Sequence, residues 1–375
     1  KAFMDGKTVI VQTAPAVRAA LAEEFGHKIG EMDATGKMVA ALHRLGFYRV
    51  FDTNFGADLT IMEEATELLN RIQNKGLLPQ ITSCSPGWIN YCEYFYPELL
   101  HHLSSCKSPH EMEGAIIKSY FAKVHHLNPK DLFVVSVMPC TAKKGEAKRR
   151  ELANEEGIAD VDAVLTTREL ALMIRRAGLI FDDLPEEEFD QDLLGEYSGA
   201  GVIFGASGGV MEAALRTAYF NLTGKEAGAL EFAAVRGMEG IKEAEFAFPG
   251  SSLKVAVASG MKNAKPLLEQ IKAGKSPYAF IEIMGFPDGC INGGGQPFVK
   301  PNLHPEEGKN IVEEYCQKRA KILYGIDEHK TLRQSHNNPD IKRLYEDFLG
   351  VPCSRRAEEL LHTHYNSFRE KYPEE

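Results

Sequence analysis

The sequence has no long hydrophobic run, no block of positive charge and no export signal at its start. No apolar stretch approaches the roughly 20 residues that a membrane-spanning helix requires, which argues against an integral membrane protein. The net charge of −10 is spread along 375 residues and leaves no basic stripe for phosphates, so we expect no nucleic-acid partner. We expect a cytoplasmic protein. The chain begins at Lys1 rather than methionine, so a preceding segment stays an open alternative.

Cysteine is also sparse, with seven residues and no dense framework, which is typical of a reducing compartment. Four lie in helical or polar contexts and are interpreted as ordinary core or surface residues: Cys92, Cys106, Cys316 and Cys353. The other three lie on turns rich in proline or glycine: Cys84, Cys140 and Cys290. Such turns let a backbone approach a bulky inorganic group, and thiolate is a soft ligand that suits iron.

Short β-branched runs alternate with amphipathic helical patterns. Strands are predicted at residues 8–11, 49–52, 132–137, 163–165, 253–258 and 280–284. Helices are predicted at residues 17–25, 37–45, 59–74, 168–177, 210–223 and 264–273. This alternation predicts an α/β fold with mainly parallel sheets flanked by helices. Later residues show only helical patterns, at 310–324, 340–349 and 355–365, and predict a helical tail.

The three cysteine turns each follow a predicted strand or a short apolar stretch. Their sequences are Thr-Ser-Cys-Ser-Pro-Gly-Trp (82–88), Met-Pro-Cys-Thr-Ala-Lys-Lys (138–144) and Gly-Cys-Ile-Asn-Gly-Gly-Gly-Gln-Pro (289–297). Ligands of α/β folds bind beyond the carboxyl ends of parallel strands. We therefore expect the three turns to form one shared site.

These three turns resemble the active-site loops of the iron-iron (FeFe) hydrogenases. Further similarity lies in Asn-Phe-Gly-Ala-Asp (54–58), in Thr-Thr-Arg-Glu-Leu (166–170) and in the glycine-rich segment 204–215. The resemblance implies reversible reduction of protons to H2 in a cleft between two lobes. It also implies a catalytic domain at 1–300, with lobes at about 1–130 and 131–300, and a small-subunit-like tail at 301–375.

The cofactor of that family is the H-cluster, in which a four-iron cubane shares a cysteine sulfur with a di-iron unit carrying CO and cyanide. The resemblance makes Cys140 and Cys290 iron ligands, and Cys290 the bridge between the two parts. Two further cubane positions are occupied here by Ser85 and Phe286, neither of which replaces a thiolate. Cys84 matches the family's proton relay, and its use as a ligand instead is the alternative.

The remaining site residues are likewise implied by the resemblance. Contacts to the CO and cyanide groups are assigned to Ala14, Pro15, Ser108, Met138, Pro139, Phe204 and Met284, with Lys143 donating to a cyanide. The proton path is assigned to Cys84, Glu67, Ser104, Glu64 and Arg71. The spacing of the three α-helical members at i, i+3 and i+7 is by itself also typical of a salt-bridged surface.

No Cys-x-x-Cys-x-x-Cys run is present, so electrons are expected from a ferredoxin, a cluster-bearing subunit or a missing N-terminal domain. The basic run 143–150 is a candidate docking patch or simply a solvated face. His362 and His364 are two apart on a predicted helix, which argues against a zinc pair. The second functional hypothesis is a hydrogenase-fold protein without a complete H-cluster, acting as a structural or electron-relay subunit or scaffold.

Overall fold

A computed structural model describes residues 1–154, 156–227, 233–236, 240–248, 251–299 and 311–371. The strands are β1 (Thr8–Thr13), β2 (Arg49–Asp52), β3 (Gln80–Ile81), β4 (Leu132–Met138), β5 (Ala163–Thr166), β6 (Ile241–Phe248), β7 (Ser251–Ser259) and β8 (Phe280–Met284). The α-helices are α1 (Pro15–Arg18), α2 (Thr35–Arg44), α3 (Thr53–Gln73), α4 (Pro86–Phe95), α5 (Pro109–Ile116), α6 (Ala122–Val124), α7 (Lys143–Glu146), α8 (Thr167–Arg176), α9 (Gly199–Ile203), α10 (Gly209–Thr223), α11 (Met261–Lys272), α12 (Ile311–His329), α13 (Pro339–Leu344), α14 (Arg355–Leu361) and α15 (Phe368–Lys371).

The strands form two four-stranded sheets, and the predicted α/β fold is confirmed. The first has the order β2-β1-β4-β5 and is parallel throughout, so that Thr13 lies beside both Asp52 and Val137 at its carboxyl edge. The second has the order β3-β8-β7-β6, in which only the β6–β7 pair is antiparallel. Both sheets therefore end their parallel strands in loops that can share a site.

Residue 130 does not separate the two sheets, contrary to the predicted lobe boundary. Strands β4 and β5 follow that residue but pair with β1 in the first sheet, whereas β3 precedes it and pairs with β8 in the second. Each lobe is thus assembled from both halves of the chain. The predicted start of the tail at 301 stays a prediction, since residues 300–310 lie outside the described residues.

The helix predicted at 17–25 is wrong, because α1 ends at Arg18 and a 3-10 helix follows over Leu21–Phe25. Between them the backbone of Ala20 leaves the helical region, with φ −133°. The predicted helices at 340–349 and 355–365 are also shortened, since α13 passes into a π-helical turn after Leu344 and α14 ends at Leu361. His362 therefore lies beyond a helix end.

Two hydrophobic cores hold the sheets, and a third joins them. The largest surrounds the first sheet, and the second packs the fully buried Trp88 against the second sheet. The third lies between α3, α10 and β8 and contains Phe204, Val210 and Met284, with Cys84 packed against it. This joining core forms one wall of the candidate site.

The tail helix α12 is fixed to the site loops by buried charges. Arg319 pairs with Glu23 at 2.6 Å and donates to the carbonyl of Ile291 at 2.9 Å, directly after Cys290. Arg216 on α10 pairs with Asp327 at 2.9 Å, and both side chains are fully buried. Among the described residues, no helix is long and apolar enough to cross a membrane.

Candidate metal-cluster site

A single cavity collects loops from both sheets. Its walls include Ala14 and Pro15 after β1, Cys84 after β3, the turn around Cys140 after β4, and Cys290 after β8. The atom-free space in the cavity and at its open mouth, with open solvent included, is about 540 Å³. The structure therefore brings together the three thiols that sequence reasoning placed at one site, although Cys84 and Cys290 are 206 residues apart in the chain.

The three thiols are in their protonated form when no cation is near. Burial, followed by the charge of Glu64, raises the pKa of Cys84 well above its usual range, and burial likewise raises that of Cys140. Burial and the neighbouring Cys140 raise the pKa of Cys290 to about 12. The three sulfur atoms do not lie within 4.8 Å of one another. Lys143 opposes the rise of all three pKa values, and a bound metal cation would favour the thiolate forms further.

Lys143 supplies positive charge at the edge of the cavity. Although burial opposes its charged form, Glu146 raises the pKa of Lys143, and the ammonium lies 2.7 Å from that carboxylate. It also donates to the Cys84 carbonyl at 3.0 Å. An ammonium has three donors, so one donor is left for an anionic group in the cavity.

Most of the other predicted contact residues lie on the cavity wall: Ala14, Pro15, Met138, Pro139, Phe204 and Met284. Ser108 is not among the described residues that line the cavity, but it directly precedes the lining residue Pro109. Its hydroxyl is buried and has no hydrogen-bond partner among the described residues. Sequence reasoning missed His110, which lines the cavity and contacts Glu146 at 2.6 Å. Burial, followed by Lys143, lowers the pKa of His110 to about 4, so its ring is neutral.

The residues assigned to the proton path lie close together. The Ser104 hydroxyl donates to Glu67 at 2.8 Å, and it is near enough to Glu64 to lower the pKa of that carboxyl group. Arg71 donates to Glu67 at 2.6 Å, and its side chain is 17 % exposed. Burial, followed by the charge of Glu67, raises the pKa of Glu64 to about 8. These side chains therefore extend from Glu64, whose charge acts on Cys84, to the partly exposed Arg71, and they include a carboxyl group that changes protonation near neutral pH.

The basic run at 143–150 does not form the free docking patch that was one interpretation of it. Lys143 is buried in the site, Lys144 pairs with Glu169 at 2.6 Å, and Arg149 pairs with Glu93 at 2.9 Å. Their charges are already neutralised by neighbouring carboxylates. Of the basic residues in this run, only Lys148 and Arg150 are classed as exposed.

Ser85 and Phe286, at the two substituted ligand positions, each accept a hydrogen bond from a neighbouring residue. The Ser85 hydroxyl accepts a hydrogen bond from the Gly285 backbone at 3.0 Å. Phe286 offers no ligand atom, and its carbonyl accepts from Ser259 at 3.3 Å. The residues present thus suit a di-iron unit in the cavity, with its thiols, its cation and its apolar wall. They do not fit a four-cysteine cubane.

This arrangement defines an α/β protein with three thiols on the wall of one cavity, which is formed by loops from both sheets. The chain belongs to the iron hydrogenase family. Residues 7–294 match the model described as "Iron only hydrogenase large subunit, C-terminal domain", and residues 313–367 match "Iron hydrogenase small subunit". The second match covers the predicted helical tail.

Similar proteins include hydrogenases and proteins named as Fe-S cluster assembly factors. The chain is 47 % identical to iron hydrogenase 1 of Clostridium pasteurianum over 96 % of its own length and 61 % of that protein. It is 49 % identical to the NADP-reducing hydrogenase subunit HndD of Solidesulfovibrio fructosivorans, over 96 % of the chain and 60 % of the relative. It is also 32 % identical to the cytosolic Fe-S cluster assembly factor narfl of Xenopus tropicalis, over 97 % and 75 %. The chain thus spans about three fifths of the first two relatives.

Solved structures agree with the fold. The chain matches apo [FeFe]-hydrogenase HydA1 from Chlamydomonas reinhardtii, variant C377H, with a TM-score of 0.82 and 45 % identity, covering 96 % of this chain and 94 % of that one. The hydrogenase HydA(deltaEFG), whose structure describes stepwise H-cluster assembly, gives a TM-score of 0.82 at 44 % identity over the same shares of the two chains. FeFe-hydrogenase relatives carry the H-cluster, whose fit to this chain is partial, as the two substituted positions show.

Proposed function

We propose that the chain catalyses the reversible reduction of protons to H2, with electrons from a ferredoxin-like carrier. The observation that supports this most directly is the group of ionisable and hydroxyl side chains between the Cys84 cavity and the surface, in which Ser104 and Arg71 both donate to Glu67 and the charge of buried Glu64 acts on Cys84. A packed core does not need two carboxylates and a hydroxyl in sequence at this depth. Hydrogen chemistry does, because protons must pass between a buried site and water.

The roles within this chain follow from its chemistry. Glu64 can hold or release a proton near neutral pH, since burial raises its pKa to about 8. The Ser104 hydroxyl donates to Glu67 and lies close enough to Glu64 to affect its pKa, and a hydroxyl can both donate and accept a hydrogen bond. The Arg71 guanidinium has donors only and donates to Glu67, so it orients this carboxylate rather than accepting a proton itself. Cys84 is the group that faces the cavity.

The electron source is proposed to be a ferredoxin, a cluster-bearing subunit or a further domain at the N-terminus. The reduced thiols of the cavity favour a reducing compartment, and we propose the cytoplasm. Because the residues do not fit a four-cysteine cubane, no reaction step is assigned to a complete H-cluster.

A second candidate function is a hydrogenase-fold subunit without hydrogenase activity. Ser85 and Phe286 favour it, because neither can supply a thiolate and both are accommodated locally. The similarity to a relative named as an Fe-S cluster assembly factor also favours it. Such a protein would serve as a structural or electron-relay subunit or as a scaffold.

The test compares the natural chain with the double variant Ser85→Cys/Phe286→Cys. Both are reconstituted without oxygen, first with iron and sulfide and then with a synthetic di-iron complex carrying CO and cyanide. Infrared spectra report the bound CO and cyanide, and reduced methyl viologen drives hydrogen evolution. We expect the natural chain to show both the bands and hydrogen evolution.

The double variant separates the two functions. If it evolves hydrogen while the natural chain shows neither bands nor activity, the missing thiolates explain the loss and the second function holds. If neither protein binds the di-iron complex, the cavity assignment itself is wrong. The natural chain with Cys84→Ala is the matched control, since it should keep the infrared bands but lose hydrogen evolution.

A further inference from the structure

The two ends of helix α14 meet helix α3 at one buried carboxylate. Cys353 lies just before α14 and His362 just after it. His362 Nε2 is 3.0 Å from Glu63 Oε2, and the Cys353 backbone donates to the same oxygen at 2.7 Å. The Cys353 thiol lies 3.6 Å from the Glu63 carbonyl. Cysteine, histidine and glutamate thus converge where the tail packs on the proton-path helix.

The donor atoms are close enough to share one ion. One atom each from Glu63, Cys353 and His362 lies within 4.8 Å of the other two. Thiolate, imidazole and carboxylate are the donors that Zn²⁺ binds, at about 2.0–2.3 Å each. Glu63 is fully buried and the His362 side chain is 9 % exposed, whereas Cys353 is half-buried, so an ion reaches the group from the Cys353 side.

The groups around these donors are those that hold ligands in place in metal sites. His362 Nδ1 lies 2.7 Å from the Ser105 hydroxyl, which orients the ring and leaves Nε2 as the ligand atom when Nδ1 carries the hydrogen. Tyr345 donates to the other oxygen of Glu63. The backbone of Cys353 has φ 56°, a left-handed conformation uncommon for a residue with a side chain. Ligand orientation is therefore built in before any ion binds.

We propose that Glu63, Cys353 and His362 form a site for a zinc-type divalent ion, separate from the cluster cavity. Binding replaces the thiol hydrogen of Cys353 with the ion, and that proton passes to water. The resulting thiolate and the Glu63 carboxylate balance the two positive charges. A water molecule completes a tetrahedral set, as is usual where three protein ligands are present.

Glu67 and Cys106 also lie within 4.8 Å of His362 and could compete for the ion. Cys106 is fully buried, and Glu67 already pairs with the Arg71 cation at 2.6 Å, so this alternative is disfavoured. Because Glu63 directly precedes Glu64, an ion at the proposed site fixes the tail against the helix that carries the proton path. The proposal does not depend on hydrogenase activity.

The test uses Co²⁺ as a spectroscopic substitute for Zn²⁺ on the full chain, stripped with a chelator and kept free of oxygen. Cobalt bound to thiolate gives a charge-transfer absorption in the near ultraviolet. Variants are compared with the natural chain by difference, so that cobalt bound elsewhere on the chain cancels. Cys353→Ser should bind about one equivalent less and lose part of this absorption, and His362→Gln should bind one equivalent less.

Two controls make the result decisive. Cys92→Ser changes a buried cysteine in the core of the second sheet and should retain the natural stoichiometry. Ser105→Ala removes only the support of His362 and should weaken binding by about 10- to 100-fold, an effect that a purely packing role would not produce. If Cys353→Ser and His362→Gln both match the natural chain in stoichiometry and spectrum, the site does not exist.

Discussion

Glu64 provides a direct measure of how the proton path affects stability. Its side chain is 2 % exposed, and burial, followed by the charge of Glu67, raises its pKa from 4.5 to about 8. At about 1.4 kcal/mol per pH unit, the difference between these pKa values corresponds to roughly 5 kcal/mol. This free energy opposes folding whenever Glu64 must ionise.

The direction in which pH changes the free energy of unfolding follows from the protons that the folded and unfolded states bind. Between pH 4.5 and about 8 the unfolded chain has released this proton and the folded chain still holds it. The free energy of unfolding of the natural chain therefore falls as pH rises through this window. Glu64→Gln cannot ionise and keeps a side-chain oxygen for Ser104, so its stability lacks this decline. By about pH 9 the variant should exceed the natural chain by up to roughly 5 kcal/mol.

The assay is urea unfolding of both proteins between about pH 5 and pH 9, because the difference between the two curves cancels other titrating groups. Glu98→Gln is the control: Glu98 pairs with Lys272 at 2.7 Å, and that hydrogen bond lowers the pKa of the carboxyl group. Glu98→Gln should therefore lower the free energy of unfolding at pH values above the pKa of Glu98. Glu64→Gln should instead raise the free energy of unfolding relative to the natural chain as pH rises. A difference between natural chain and Glu64→Gln that stays constant with pH would refute the raised pKa.

Two further predictions concern the tail and the cysteine loops. Asp327→Ala removes a carboxylate 2.9 Å from the fully buried Arg216 and should lower the free energy of unfolding by about 3 kcal/mol in urea titrations, because it leaves a buried cation with less compensation. Gly293→Ala would place a Cβ 2.2 Å from the Pro139 carbonyl and should cost about 1–3 kcal/mol and reduce iron retained after reconstitution, whereas Gly294→Ala, with its nearest contact at 3.6 Å, should behave as the natural chain. Equal iron retention by the two glycine variants would show that the Pro139–Gly293 contact does not position the cysteine turns.

The sequence predicted the strands where a run was both buried and β-branched. Strands β2 and β8 have the bounds that their sequence patterns predict. Strand β3 has only two residues, too few for any pattern, and its pairing with β8 brings Cys84 to the site. Strand β6 was missed although Lys242, Ala244 and Phe246 alternate with residues of the other face, a period-two signal that its charged composition obscured.

The candidate site was predictable to the extent that its residues lie in cysteine-bearing turns. Glycine and proline mark those turns in the sequence, and the parallel sheets bring them together. His110 carries no such mark, since its contact with Glu146 arises only when α5 packs near α7. His362 was assigned to a helix interior from its periodicity, yet α14 ends before it and directs it to Glu63. Contacts between distant elements are what local patterns cannot supply.

The two candidate functions place opposite demands on the same residues. The Ser85 hydroxyl and the Phe286 carbonyl each accept a hydrogen bond, so neither of these polar groups at the cubane positions is left without a partner. Glu64 is different, because its buried carboxyl group opposes folding once it ionises. Groups that weaken the fold are found mainly at functional sites. A hydrogenase therefore requires that Glu64→Gln both stabilise the chain and slow hydrogen evolution, whereas a structural subunit requires only the first effect.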